Sequence, residues 1–245
     1  NSIPKSCNIC VTPKQNSFTD TSIEVLSRLS VCSQKGLIER FDSSIGNGTV
    51  LSPFGGKKFR TETEGMAALI PVLGKETTTC SLMSYGYNPV ISKWSPYHGS
   101  IYAVVESVAK IVAMGGEYRK IRFSFQEYFE KLLTNPEKWG KPTAALLGAY
   151  RAQKELKLPS IGGKDSMSGS FEDLDVPPTL VSFAITAGDT KNIVTPELKE
   201  GNHKLVEVVI EKDKYHVFDF ASLQEKYDFV VKCIKEGKVY SAYTV

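Results

Sequence analysis

A glycine pair, a lysine and two serines lie close together in the run PSIGGKDSMSGSFEDLDVPP, residues 159–178. Gly162 and Gly163 have no side chains, so a ligand could approach their backbone N–H groups closely. Lys164 adds a positive charge, and Ser166 and Ser168 add hydroxyl groups. This combination of groups predicts a binding site for an anion such as a phosphate.

The same run does not match the nucleotide-binding P-loop, whose pattern is G-x-x-x-x-G-K-[ST]. When Gly163 and Lys164 are taken as the G-K pair, Leu158 stands where the first glycine is required. Asp165 replaces the Ser or Thr that would reach Mg²⁺. Two interpretations therefore stay open from the residues alone. The segment binds an anion, or it is a turn with a solvated lysine in which Lys164 and Asp165 form a local ion pair.

The cysteines form neither a metal site nor a disulfide framework. Cys7 and Cys10 make a C-x-x-C pair, but no second pair of zinc ligands follows at suitable spacing. Cys32, Cys80 and Cys233 bring the count to five, and an odd, widely spaced set is typical of reduced thiols. We therefore expect a cytoplasmic protein without structural zinc.

Composition and charge exclude several classes of protein. Apolar residues make up 41% of the 245 residues and charged residues 23%, as in ordinary globular chains. The net charge of +3 comes with scattered lysines, which argues against nucleic-acid binding. No apolar run approaches the roughly 20 residues of a membrane helix, and the N-terminus lacks a signal-peptide pattern. Because the chain begins without methionine, we expect a piece of a longer protein.

The spacing of apolar residues predicts a mixture of helices and strands. The clearest helix covers residues 100–114 and ends at a glycine pair, and a second covers 142–157. This mixture fits an α+β or mixed α/β protein. Further helices are predicted at 21–29, 33–41 and 221–236, strands at 66–73, 119–125, 179–187 and 205–210, and a loop at 81–96.

Four stretches resemble one protein family, in the same order along the chain. They are VLSRLSVCSQKGLIERFDSSIGNGTV, SPYHGSIYAVVESVAKIVAMGG, KPTAALLGAYRAQKELKLPSIGGKDS and PSIGGKDSMSGSFEDLDVPPTLVSFAITAGD. Together they resemble the second half of formylglycinamidine ribonucleotide synthetase, the amidotransferase of purine synthesis. The resemblance extends from about residue 22 to the end of the chain.

The resemblance implies an α+β fold, built from two related halves that each resemble aminoimidazole ribonucleotide (AIR) synthetase. Residues 60–188 would form an AIR-synthetase N-terminal-like, ferredoxin-like domain. Residues 1–59 would be a lead-in segment, and 189–245 the start of an AIR-synthetase C-terminal-like α/β domain. The halves of such enzymes form a pseudo-dimer, and a glutaminase domain supplies ammonia. The substrates would be formylglycinamide ribonucleotide, ATP and glutamine, with Mg²⁺ offsetting phosphate charge.

The resemblance also implies roles for single residues. Gly163 would lie near ATP and Ser166 near the substrate phosphate. Lys164 would neutralise phosphate as a point charge, and Asp165 belongs to the same segment. Three positions match a family stretch before the domain and either line the cleft or only fix the entry of the chain: Arg40, Asp42 and Thr49.

The chain departs from the family where ATP phosphates and magnesium would bind. Between Pro96 and Glu106 only Gly99 of the small residues is kept, so we expect no main triphosphate site there. Glu106 keeps the metal carboxylate of the long helix and is the predicted metal ligand. Lys110 replaces the amide one turn later, and a carboxylate with a lysine four residues on is more typical of an ordinary helix ion pair than of a magnesium site.

Two functions remain open. The chain is a fragment of the ligase that contributes to a composite active site, or it is a degenerate, non-catalytic scaffold half of the same enzyme. A stand-alone kinase of the same superfamily is excluded, because the long helix offers only Glu106 where an aspartate-rich metal site is needed. In both cases we expect the chain alone to be inactive and two copies to pair through an exposed sheet face.

Overall fold

The computed structural model describes residues 17–29, 31–40 and 48–245. Asp42 and the C-x-x-C pair lie outside the described residues. The helices are α1 (Phe18–Leu26), α2 (Lys35–Ile38), α3 (Pro89–Trp94), α4 (Pro96–Ala113), α5 (Pro136–Leu156) and α6 (Phe220–Lys235). The strands are β1 (Thr49–Leu51), β2 (Phe54–Gly55), β3 (Thr61–Glu62), β4 (Gly65–Leu69), β5 (Thr79–Gly86), β6 (Arg122–Tyr128), β7 (Ser160–Lys164), β8 (Ser170–Phe171), β9 (Leu174–Asp175) and β10 (Thr179–Asp189).

Six of the strands form one sheet in the order β1-β4-β5-β10-β6-β7. The pairs are antiparallel except for β6 and β7, which run parallel. The central strand β10 confirms the strand predicted at 179–187, because alternate residues such as Leu180, Ser182 and Ala184 are buried on one face. The α+β class is thereby confirmed.

Helix α4 lies on the buried face of the sheet, and α5 lies beside α4 and contributes to the same core. Val104, Val108 and Ile111 of α4 are fully buried in this core. Polar groups at the contact are paired: the Ser84 hydroxyl donates to the Ser107 carbonyl oxygen at 2.6 Å. The core therefore fixes the direction of α4 relative to the strands that carry the candidate site.

The opposite face of the sheet carries the alternate residues of the same strands, which are half-buried or exposed. Phe183 and Ile185 of β10 lie opposite Tyr85 and Met83 of β5, so an apolar band runs across this face. We call this band of Met83, Tyr85, Phe183 and Ile185 the open face.

Segments from both ends of the chain join this sheet and its helices. Thr49 of β1 pairs with Ala68 of β4, so part of the predicted lead-in segment is an edge strand. Helix α6 packs on α4 and α5, and its buried Tyr227 donates to the carbonyl oxygen of Val105 at 3.1 Å. The division at residues 188 and 189 stays a prediction. Within the described ranges, no helix is long and apolar enough to span a bilayer.

Several predicted elements differ from the structure, including the following three. The loop predicted at 81–96 is wrong: it contains most of β5 and all of α3, because the buried positions of β5 include the small residues Ser84 and Gly86, which hide the strand pattern. The strand predicted at 205–210 forms no ladder, and Leu205 and Val206 are exposed. Helix α5 begins six residues earlier than predicted, because the Asn135 side chain caps it.

Substituting Gly86 by Ala should destabilise the fold. A Cβ atom at residue 86 would collide with the backbone carbonyl oxygen of Ala103 on α4, so the helix would have to move. We expect a loss of about 1–3 kcal/mol in the free energy of unfolding, measured by urea denaturation. Gly140→Ala is the matched control: its Cβ would meet nothing within 4 Å inside α5, so it should gain about 0.5–1 kcal/mol. Equal effects of the two variants would contradict this account of the packing.

Candidate functional site

The predicted glycine turn is an edge strand of the main sheet. Gly162 lies opposite Ser124 and Gly163 opposite Phe125 in the parallel pairing of β7 with β6. A Cβ atom on Gly163 would collide with the carbonyl oxygen of Phe125, so only glycine permits this close approach. Gly162 has a φ of +150° and open space around it, which leaves its backbone accessible on the outer edge.

A shallow groove of about 410 Å³ lies where β7 meets the open face. Lys164 is exposed at its rim, and its ammonium group is 3.5 Å from the backbone carbonyl oxygen of Asp165. None of the ion pairs between described residues in this region includes Lys164, so the alternative of a local ion pair with Asp165 is not formed. The groove is lined by Ser124, Phe125, Gln126, Ile161, Gly162, Gly163, Lys164 and Phe183.

The segment after β7 stays attached to β6. The Ser166 N–H donates to the carbonyl oxygen of Glu127 at 3.2 Å, and the Phe129 N–H donates to the carbonyl oxygen of Ser166 at 2.9 Å. The Ser166 and Ser168 hydroxyls are 2.8 Å apart and hydrogen-bonded. The predicted glycine, lysine and hydroxyl groups are therefore brought together along one edge, as the sequence suggested.

A group of charged residues that sequence reasoning missed holds the neighbouring β8–β9 hairpin. Glu130 is buried and pairs with Lys141 at 2.8 Å, while Lys138 pairs with Asp175 at 3.2 Å. The Ser170 hydroxyl donates to Asp175, and this bond, with those to Glu130 and Lys138, lowers the Asp175 pKa to about 2. These bonds connect the hairpin to α5. These charged residues are widely separated in the sequence, so no sequence pattern indicated that they form a group.

Glu127 is a second carboxyl group near the candidate site. It is buried at the end of β6, on the face opposite the groove. Burial, with a smaller contribution from the negative charge of Asp165, raises its pKa to about 6. Of the neighbours Gln126 and Glu127, only Gln126 lines the groove.

The N-terminus of α4 is covered by another part of the chain. His98 Nε2 is 2.9 Å from the Tyr215 carbonyl oxygen, and its Nδ1 is 2.8 Å from the Ser95 hydroxyl. Because a carbonyl oxygen only accepts, Nε2 carries the proton and Nδ1 accepts from Ser95. Burial is the main cause that lowers the pKa of His98. The Tyr102 hydroxyl donates to the carbonyl oxygen of His216, so the loop at Tyr215 and His216 lies against the first two turns of the helix.

Glu106, the predicted metal ligand, is bonded to groups of the protein. Its Oε1 is 2.7 Å from Lys110 Nζ, and its Oε2 accepts the Tyr87 N–H at 3.1 Å. Glu64 lies nearby, and burial raises its pKa despite hydrogen bonds from Thr244. Among the described residues, no three Asp, Glu, His or Cys side chains are grouped so as to hold a metal ion. These residues do not fit a magnesium site, and the metal role of Glu106 stays a prediction.

The structure does not bring the other predicted site residues to this edge. Thr49 lies on β1 at the opposite edge of the sheet, five strand spacings or about 24 Å from β7. Arg40 is exposed after α2, where its N–H donates to the Leu37 carbonyl oxygen. Asp42 lies outside the described residues.

Comparisons with known proteins agree with the resemblance identified in the sequence. The chain is 22% identical over 174 residues to phosphoribosylformylglycinamidine synthase subunit PurL of Thermoplasma volcanium, which covers 70% of this chain and 22% of the relative. It is 24% identical over 188 residues to the same subunit of Thermococcus sibiricus, covering 75% and 24%. The chain is thus a relative of the PurL subunit and spans about a quarter of its length. No protein-family model matches the chain.

Solved structures of Thermotoga maritima PurL have the same fold. The complex with AMPPCP aligns with 86% of this chain and 32% of its own, with a TM-score of 0.61 and 18% identity. The complex with FGAR aligns with 84% and 30%, with a TM-score of 0.59 and 18% identity. The similarity in fold therefore extends over most of the chain.

The raised pKa of Glu127 predicts that the stability depends on pH. The folded state holds this proton more tightly than the unfolded state, whose pKa is near 4.5, so the stabilisation is complete below that pH and is lost as the pH rises through about 6. Glu127→Gln, which stays neutral, should be more stable than wild type by about 1–2 kcal/mol at neutral pH and equal to it near pH 4, by urea denaturation. The exposed Glu155→Gln should show no such divergence. If the free energies of unfolding of wild type and Glu127→Gln changed in parallel with pH, the raised pKa of Glu127 would be contradicted.

Proposed function

We propose that this chain is part of an ATP-dependent ligase that converts formylglycinamide ribonucleotide to formylglycinamidine ribonucleotide in purine biosynthesis, with glutamine as the nitrogen source. The observation that carries the proposal is the exposed edge from Gly162 to Ser168. It combines accessible glycine backbone, a lysine without an ion-pair partner among the described residues, and two hydroxyl groups. The related PurL of Thermotoga maritima has been solved with FGAR and with an ATP analogue.

Each group at this edge suits one part of a phosphorylated ligand. The Gly163 position brings the backbone close to a nucleotide, Lys164 neutralises phosphate charge, and the Ser166 hydroxyl donates a hydrogen bond to a phosphate oxygen. Asp165 is exposed beside Lys164 and would orient the lysine or a substrate hydroxyl. These groups bind and orient the ligand, and we assign no bond-making step to them.

The site would be completed by a second sheet. The open face is apolar, so covering it with a similar sheet removes its side chains from water. A two-fold axis parallel to the strands, placed between two such sheets, would bring the β7 edge of this sheet towards the β1-like edge of the other. Thr49, and Arg40 before it, would by the same axis lie at the β7-like edge of the other sheet, so each composite site would combine groups from both halves.

A non-catalytic scaffold half is the second candidate, and the covered N-terminus of α4 favours it. The hydrogen bonds of His98 and Tyr102 to the loop at Tyr215 and His216 occupy the place where phosphates would meet the helix end. In this alternative the chain contributes only packing to the pseudo-dimer. Both candidate functions are compatible with the covered N-terminus of α4. They differ in whether the β7 edge binds a substrate.

The remaining parts of the proposal follow from the family. The second half and a glutaminase domain are the expected protein partners, and the chain alone is expected to lack synthetase activity. Magnesium would be bound with ATP outside the Glu106 position, where it would offset the charge of the phosphates. A cytoplasmic location, without nucleic-acid or membrane partners, belongs to the same proposal.

The Ser166→Ala variant of the enzyme that contains this chain tests the composite site. Losing a hydrogen bond to a charged phosphate should lower kcat/KM for formylglycinamide ribonucleotide by about 10- to 150-fold, mainly through KM. The measurement is steady-state kinetics with titration of this substrate. The exposed Ser52→Ala serves as the matched control and should leave both constants unchanged. Wild-type kinetics for Ser166→Ala would favour the scaffold candidate.

Light scattering of the isolated chain tests the open face. We expect a mass of twice the 27.0 kDa of one chain, because two copies would bury their apolar bands against each other. Phe183→Glu on the open face should give the mass of one chain. Phe229→Glu, at an exposed position on α6, should stay dimeric. A monomeric wild type would rule out pairing through this face.

A further inference from the structure

The ammonium group of Lys110 is enclosed by oxygen atoms and an aromatic ring. Nζ lies 2.7 Å from Glu106 Oε1, 3.0 Å from the carbonyl oxygen of Tyr85 and 4.6 Å from the centroid of the Tyr85 ring. The Lys110 side chain is only 14% exposed, which is low for a lysine. Carboxylate and carbonyl oxygens are the ligands that hard divalent cations take in proteins.

The groups around this ammonium come from separate parts of the chain. Glu106 also accepts the Tyr87 N–H, which connects α4 to the turn after β5. Glu64, in the turn before β4, lies close enough to interact electrostatically with both Glu106 and Lys110, and it binds Thr244 near the C-terminus. One positive charge therefore serves two buried or half-buried carboxyl groups.

We propose that Lys110 is a built-in replacement for a bound divalent cation, and that its ammonium group provides the charge that joins α4, the turn after β5 and the Glu64 turn. The proposal does not rest on the enzymatic function, because it concerns only how these segments are held together.

The geometry predicts what happens when the ammonium group is removed and the oxygen atoms stay. In Lys110→Asn the carboxylate of Glu106 and the carbonyl oxygen of Tyr85 lose their cation and gain an amide oxygen nearby. An uncompensated carboxylate next to Glu64 destabilises the fold. A divalent cation that binds these oxygens only in the folded state would restore stability by mass action.

The test compares thermal unfolding of wild type, Lys110→Asn and Glu106→Gln/Lys110→Asn, each in chelator, in MnCl₂ and in NaCl of equal ionic strength. We expect Lys110→Asn to lose about 5 °C of Tm in chelator. Mn²⁺ should restore most of this loss saturably, and the bound Mn²⁺ should be visible by electron paramagnetic resonance. The wild type, the double variant and the exposed-site control Lys154→Asn should show no specific response.

Two results would overturn the proposal. One is a Lys110→Asn variant whose Tm responds to Mn²⁺ no more than that of the wild type. The other is an equal response in the double variant, which would place the metal elsewhere. If Lys110→Asn does not fold in chelator, refolding with and without Mn²⁺ decides the question: recovery that requires the metal supports the proposal, and failure under both conditions contradicts it.

Discussion

The parallel pairing of β7 with β6 is the constraint on which the candidate site depends. It requires glycine at residue 163, because any side chain there would meet the Phe125 carbonyl oxygen. With β7 in place, the hydrogen bonds of Ser166 to Glu127 and Phe129 continue the attachment beyond the strand. The lysine and hydroxyl groups of the segment are thus held on a rigid edge rather than on a free loop, and this placement favours a binding role.

At both ends, α4 differs from a helix that binds phosphate and metal, because groups of the protein itself are bound there. At its N-terminus, backbone carbonyl groups of Tyr215 and His216 are bound through His98 and Tyr102. In its last turn, the Lys110 ammonium is bound by Glu106. In both places the chain supplies from its own groups the charge or the acceptor that a ligand would otherwise supply. Of the predicted binding groups, those that stay accessible therefore lie at the β7 edge, away from α4.

The sequence predicted the elements whose signals are local. Strand β10 alternates cleanly, and α4 carries its apolar residues at helix spacing, so both were found close to their observed bounds. The central strand β5 was missed because its buried positions include Ser84 and Gly86, whose small size is required by contact with α4 and not by strand propensity. Grouping Gly163, Lys164 and Ser166 was possible because they are neighbours in sequence. The distance of Thr49 from them depends on the strand order, which no local pattern encodes.

The central claim, that the β7 edge contacts phosphorylated substrates, is tested most directly by hydrogen–deuterium exchange. The enzyme that contains this chain would be compared with and without formylglycinamide ribonucleotide and a non-hydrolysable ATP analogue. The account predicts slower exchange of the backbone amides between Gly162 and Ser168 when the ligands bind, because these amides and their neighbours leave solvent. Unchanged exchange in this segment, with protection elsewhere in the enzyme, would contradict the claim and leave this chain as a scaffold.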